Sequence, residues 1–80
     1  MKHARVVDAA DLGRAAREAR ITKGIDQAEL AARMGVSRMT ISRLERGENV
    51  SQTTAIRALS ECGYRIEVLP KLARIEVHNG

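Results

Sequence analysis

Apolar residues recur at helical spacing along most of the chain and change to strand spacing near its end. Between Asp8 and Thr22, Leu12, Ala15, Ala16 and Ala19 fall on one face, and Arg14, Arg17, Glu18 and Arg20 fill the others. Asp8 is placed to cap this helix, with Asp11 in a weak echo of a capping box, and Lys23 and Gly24 close it. A second helix opens on the capping box Asp26-Gln27-Ala28-Glu29, carries Leu30, Ala31 and Met34 on one face and stops at Gly35. The third opens on Ser37, has the apolar pair Ile41 and Leu44 and stops at Gly47. The fourth runs from a cap near Ser51 to Cys62, with Ile56, Leu59 and Cys62 on one stripe, and Gly63 ends it.

After Gly63 the period becomes two. Tyr64, Ile66 and Val68 alternate with Arg65, Glu67 and Leu69, which predicts a strand closed by Pro70. The tetrapeptide Arg-Ile-Glu-Val of residues 65–68 returns at 74–77, so a hairpin is one reading and a single strand with a frayed end another. The last residues, His78-Asn79-Gly80, are expected to be disordered. The expected fold is therefore mainly α: a four-helix domain over residues 8–63 and a strand or hairpin tail over 64–80.

Composition narrows the function. Eighty residues make one small domain with a thin stability margin. The single cysteine, Cys62, excludes an intrachain disulfide and reads as a small buried hydrophobe; no Cys/His cluster points to zinc. Tyr64 is the one aromatic residue, which argues against base-stacking surfaces. No cofactor motif, nucleophile with a base, paired carboxylates or metal set appears, so an enzyme is not expected. No window has the roughly 18 apolar residues of a membrane span, and the N-terminus lacks an export signal's apolar core. With a free thiol, the expectation is a cytoplasmic protein away from membranes. Lys and Arg exceed Asp and Glu by 14 to 10, for a net charge of +4, and most of the cations are arginine. That balance fits a nucleic-acid partner or a merely solvated basic surface.

The third helix favours the first of these. It is too polar for a core element, so one narrow stripe holds it and the rest of its surface is shown to a partner. Only Gly35 and Val36 separate it from the second helix before its cap, so the two helices cross steeply. Ala31 permits close approach, Gly35 permits the turn, and Val36, Ile41 and Leu44 pin the third helix down. This is helix-turn-helix logic, in which the second helix of the pair enters the major groove.

The run Gln27-Ala-Glu-Leu-Ala-Ala-Arg-Met-Gly-Val-Ser-Arg-Met-Thr-Ile-Ser-Arg-Leu-Glu-Arg-Gly47 resembles the Xre/Cro-repressor class of helix-turn-helix proteins, over about Leu12 to Gly63. The tail, Gly63 to Lys71, resembles HipB- and HigA-like antitoxins. The resemblance implies a lambda-repressor-like fold and a repressor of duplex DNA. By position it implies that Gln27 contacts a phosphate and braces the recognition helix, and that Ser37 caps that helix and meets a phosphate. Arg38, Met39 and Arg43 match base-reading positions; an arginine takes guanine O6 and N7 together, and Met39 suits a thymine methyl. Thr40 and Ser42 are candidates for a phosphate or base edge, and Arg46 and Asn49 for the backbone. Asp26 stands where many members have threonine, and Glu48 puts a negative charge near the expected backbone contact. A carboxylate facing DNA is repelled, so Glu45 is expected to point inward and pair with Arg20, as its counterpart does in the family.

A twofold dimer reads a palindromic operator with half-sites about 34–36 Å apart. Tyr64, Ile66 and Val68 are the residues expected to form its dimer contact. The antitoxin resemblance further implies a toxin partner, a HipA-like kinase or a HigB-like nuclease, bound through the same tail. A stand-alone phage-type or restriction–modification controller regulator, and a protein–protein module that never meets DNA, remain open alternatives.

Overall fold

The computed structural model describes residues 4–70, which form four helices: α1 (Ala9–Lys23), α2 (Gln27–Met34), α3 (Arg38–Glu45) and α4 (Gln52–Glu61). Each opens on a residue whose side chain accepts from the amide three positions on: Asp8 from Asp11, Asp26 from Glu29, Ser37 from Thr40 and Ser51 from Thr54. The capping boxes are not reciprocal. Asp11 reaches past the cap to the Val7 amide at 3.0 Å, and Glu29 is taken by Arg33 at 2.6 Å.

The four helices also close alike. An amide beyond the last turn reaches back to a carbonyl inside the helix: Ile25 to Arg20, Val36 to Ala31, Glu48 to Arg43 and Tyr64 to Leu59. Ile25, Val36 and Tyr64 then lay half-buried side chains on the core, as this motif favours, whereas Glu48 is exposed. Between α2 and α3 the turn passes through Gly35 at φ 69°, in the left-handed region that a side chain disfavours.

The core lies where α1 and α2 pack on α3 and α4. Leu30, Met34, Ile41, Leu44, Leu59 and Cys62 are its larger members; the rest are Ala15, Ala16, Ala19, Ala31, Ala55 and Ala58. Ile56 departs from its expected place on the buried stripe: it is 51% exposed, and Ala55 and Ala58 face inward instead. Burial follows the face that fits a close helix crossing, and two methyl groups fit where an isoleucine does not.

The expected tail strand is also corrected. Residues 64–70 run as irregular backbone, and no strand lies among the described residues. A strand is defined by its ladder, and this segment has none with any described residue; Tyr64 serves instead to close α4, its amide donating to Leu59 at 2.9 Å. The second arm of the anticipated hairpin, at 74–77, lies outside the described residues.

Two features fix α3 on the bundle. The first is a backbone approach through glycine. A Cβ on Gly13 of α1 would collide with the carbonyl oxygen of Leu44 and lie 2.9 Å from that of Glu45, and one on Gly47 would lie 2.9 Å from Ala10 Cα. The second is polar. Arg20 grips Glu45 with both arms of its fork, Nε to Oε2 at 2.7 Å and Nη2 to Oε1 at 3.0 Å, while Nη1 donates to the Ile25 carbonyl at 3.0 Å. Gln27 Nε2 adds a bond to Glu45 Oε1 at 3.1 Å. The Glu45 side chain is 4% exposed and that of Arg20 12%. The hydrogen bond to Glu45 is the main reason the Arg20 guanidinium is raised above its ordinary range.

Gly13→Ala removes a poor helix former, which in an open helix gains up to about 1 kcal/mol. Here rigid backbone carbonyls oppose the added methyl, so the variant is expected to lose about 1–3 kcal/mol in thermal or urea melts. Glu45→Gln leaves the Arg20 cation buried without its counter-charge and is expected to cost about 3 kcal/mol or more in the same melts. Arg20→Met combined with Glu45→Met is expected to recover most of that loss, because no orphaned charge remains.

Candidate nucleic-acid interface

α3 is held by Ile41 and Leu44, both buried, with Glu45 drawn in beside them. At 3.6 residues per turn this leaves Arg38, Ser42, Arg46, Met39 and Arg43 along one outward arc of about 140°. Arg38, Met39 and Arg43 are exposed, and neither Arg38 nor Arg43 is in an ion pair with any described residue. Met39, 55% exposed, is the one large apolar side chain on the arc. Glu45, the only carboxylate within α3, is turned away from it.

The remaining expected contact residues divide by how their polar atoms are occupied. Ser37 caps α3, accepting from the Thr40 amide at 3.1 Å, and its hydroxyl lies 2.9 Å from that of half-buried Thr40. Gln27 braces rather than projects, since its amide nitrogen is on Glu45. Ser42 accepts from Arg46 Nη1 at 2.7 Å, and Arg46 Nε donates to Glu48 at 2.5 Å. Asn49 is exposed in the loop beyond. Of the expected dimer residues, Tyr64 is half-buried against the core, while Ile66 and Val68 are exposed.

One contact carried no signal in the sequence. Arg57 of α4 sends Nη2 to the Met34 carbonyl at 2.7 Å, tying the last turn of α2, where the helix-turn-helix bends, to the fourth helix. The partners are 23 positions apart, so no local spacing announces them. Cys62, by contrast, behaves as read: it is buried, and burial pushes its thiol above the ordinary range, away from the reactive thiolate. Among the described residues no helix is long and apolar enough to cross a membrane.

The geometry has known counterparts. The HTH_3 family model, described as helix-turn-helix, matches residues 17–69, more than half of the chain. Among solved structures, a HipB variant in complex with an O2 20mer is similar, with a TM-score of 0.77 at 26% sequence identity, covering 86% of this chain and 97% of the other. No curated protein sequence matches the chain. The matched region takes in α2, the Gly35 turn and α3 together with the C-terminal half of α1 and all of α4, and the chain belongs to the HTH_3 helix-turn-helix family of DNA-binding transcription regulators.

Proposed function

We propose that this chain is a repressor that binds a palindromic duplex operator as a dimer, and that it is the antitoxin of a toxin–antitoxin operon. The observation that carries the reading is the outward arc of α3, where Arg38 and Arg43 are exposed and in no ion pair with any described residue, while the helix's one carboxylate is withdrawn. A cationic helix presented in this way suits the major groove: arginine forks read guanine edges and Met39 meets a thymine methyl. Ser37, Thr40, Ser42, Arg46 and Asn49 flank it as phosphate contacts, and Gln27 supports it from behind. Similarity to HipB, held with its 20mer, supports both duplex DNA as the ligand and the antitoxin role.

One domain reads only a few base pairs, so a specific site calls for two copies. Ile56 on α4 and Ile66 and Val68 in the tail offer an apolar contact for a second copy, with Tyr64 anchoring the tail's start to the core. A toxin of the HipA-like kinase or HigB-like nuclease kind is the further partner, and stable one-to-one co-purification with a neighbouring gene product is its test.

Arg43→Ala is expected to cost about 1–3 kcal/mol on an operator selected from a random pool and to relax preference at one position, with binding to random duplex largely kept. Equal weakening on every sequence, read by competition binding, would show Arg43 to be a phosphate contact. A chain ended after Tyr64 retains the closing bond of α4 and is expected to dimerise more weakly in sedimentation equilibrium; an unchanged association constant rejects the tail as the contact.

A further inference from the structure

The end of α3 carries a contact that works against the role just proposed. Arg46 caps the helix, and its Nε donates to Glu48 Oε2 at 2.5 Å. The two side chains are 52% and 49% exposed, so packing does not require the pair. Nor is Glu48 free to drift away, because its own amide donates to the Arg43 carbonyl at 2.9 Å and closes the helix. At the other three helix ends the corresponding residue is Ile25, Val36 or Tyr64, half-buried on the core; at α3 alone it is a solvated carboxylate. The hydrogen bond from Arg46, with help from the charges of Arg46 and Arg43, holds the Glu48 carboxyl below its ordinary range, so it is ionised wherever duplex DNA is stable.

We propose that Glu48 sets the affinity of the DNA interface by occupying Arg46 and withholding one phosphate contact from the recognition helix. The inference rests on the duplex-binding reading above. If Arg46 stays on Glu48, the pair brings no net charge to the phosphates. If Arg46 moves to a phosphate, Glu48 is stranded beside a polyanion. Either way this corner releases no net counterion, although a cation stands there. Phosphate contacts carry no sequence information, so the restraint falls equally on all sequences: it shortens residence on DNA and leaves discrimination between sites unchanged.

The test is a four-member cycle of the full chain: the natural sequence, Glu48→Gln, Arg46→Gln and the two combined. Each is titrated by fluorescence anisotropy against a random-sequence duplex of about 20 base pairs, the length of two turns, at two salt concentrations. Glu48→Gln is expected to tighten binding and to steepen the salt dependence by about 0.9 for each copy bound, so that its gain at 50 mM over that at 200 mM salt is about threefold larger for one copy and about tenfold larger for a dimer. In the Arg46→Gln background that gain is expected to fall by at least half, because the guanidinium that Glu48 withheld is absent. An undiminished gain there overturns the proposal, since Glu48 would then act as a general negative charge. So does a Glu48→Gln chain with unaltered affinity and salt dependence. If the natural chain shows no salt-dependent binding to the duplex at all, the duplex-binding reading itself falls, an outcome distinct from either of these.

Discussion

The buried carboxylate of Glu45 is the constraint on which the geometry of α3 depends. Its oxygens receive Arg20 from α1 and Gln27 from the start of α2, so one side chain links the first three helices. A helix of this length held only by Ile41 and Leu44 has a narrow apolar seam and little resistance to rolling about it. The third anchor, offset from the seam and directional, selects one rotation. That rotation decides which side chains face outward, and it removes the single carboxylate of α3 from the surface that is to meet phosphates. Such a pair contributes little net stability once desolvation is counted, and its value here is orientation.

The glycine contacts set the distance at which this clamp operates. Gly13 brings α1 against the final carbonyls of α3, and Gly47 brings the following loop against Ala10. Helices that approach this closely have room between them for methyl groups, which is why alanines from α1, α2 and α4 populate the core. Close packing of small residues recovers dispersion contacts that a short chain cannot obtain from bulk. The fork from Arg20 spans to Glu45 because the helices are held this near. An added methyl at Gly13 therefore disturbs the polar anchor as well as the packing.

What could be read from the sequence follows from the range of the forces involved. Helix ends were legible because caps and closing glycines act within a few residues: Asp26, Ser37 and Gly35 occupy the places their chemistry predicts. The outward character of α3 was legible from its polarity, and the Arg20–Glu45 pair through the family resemblance. Gly13 was not, because a residue without a side chain leaves no mark on a hydrophobic period. Ile56 was misplaced because its bulk outweighs Ala55 and Ala58 in any such period, although the crossing selects for size as much as for apolarity. The tail was read as a strand from its alternation, but alternation states only which faces a strand would have, and the ladder that makes one must come from elsewhere. At the site, the occupation of Arg46 by Glu48 was only half visible: the charge was apparent, while its direction depends on how the end of α3 turns.

Large apolar residues are divided unevenly between the core and the surface. The core is rich in alanine, yet Val6, Val7, Ile21, Ile56, Ile66, Val68 and Leu69 are exposed. Apart from Met39 they avoid α3, and a group of them lies on α4 and the segment after it. A small domain that left such side chains in water permanently would forgo about 25 cal/mol for each Å² of apolar surface it failed to bury. Val68 alone is 94% exposed in the single chain. This surface is on elements other than the one that carries the cationic arc, so a second copy covering it would leave α3 open to DNA. The same separation would let so short a chain serve two partners: its charged helix is oriented by contacts inside the bundle, and its apolar surface is left outside the bundle's own packing.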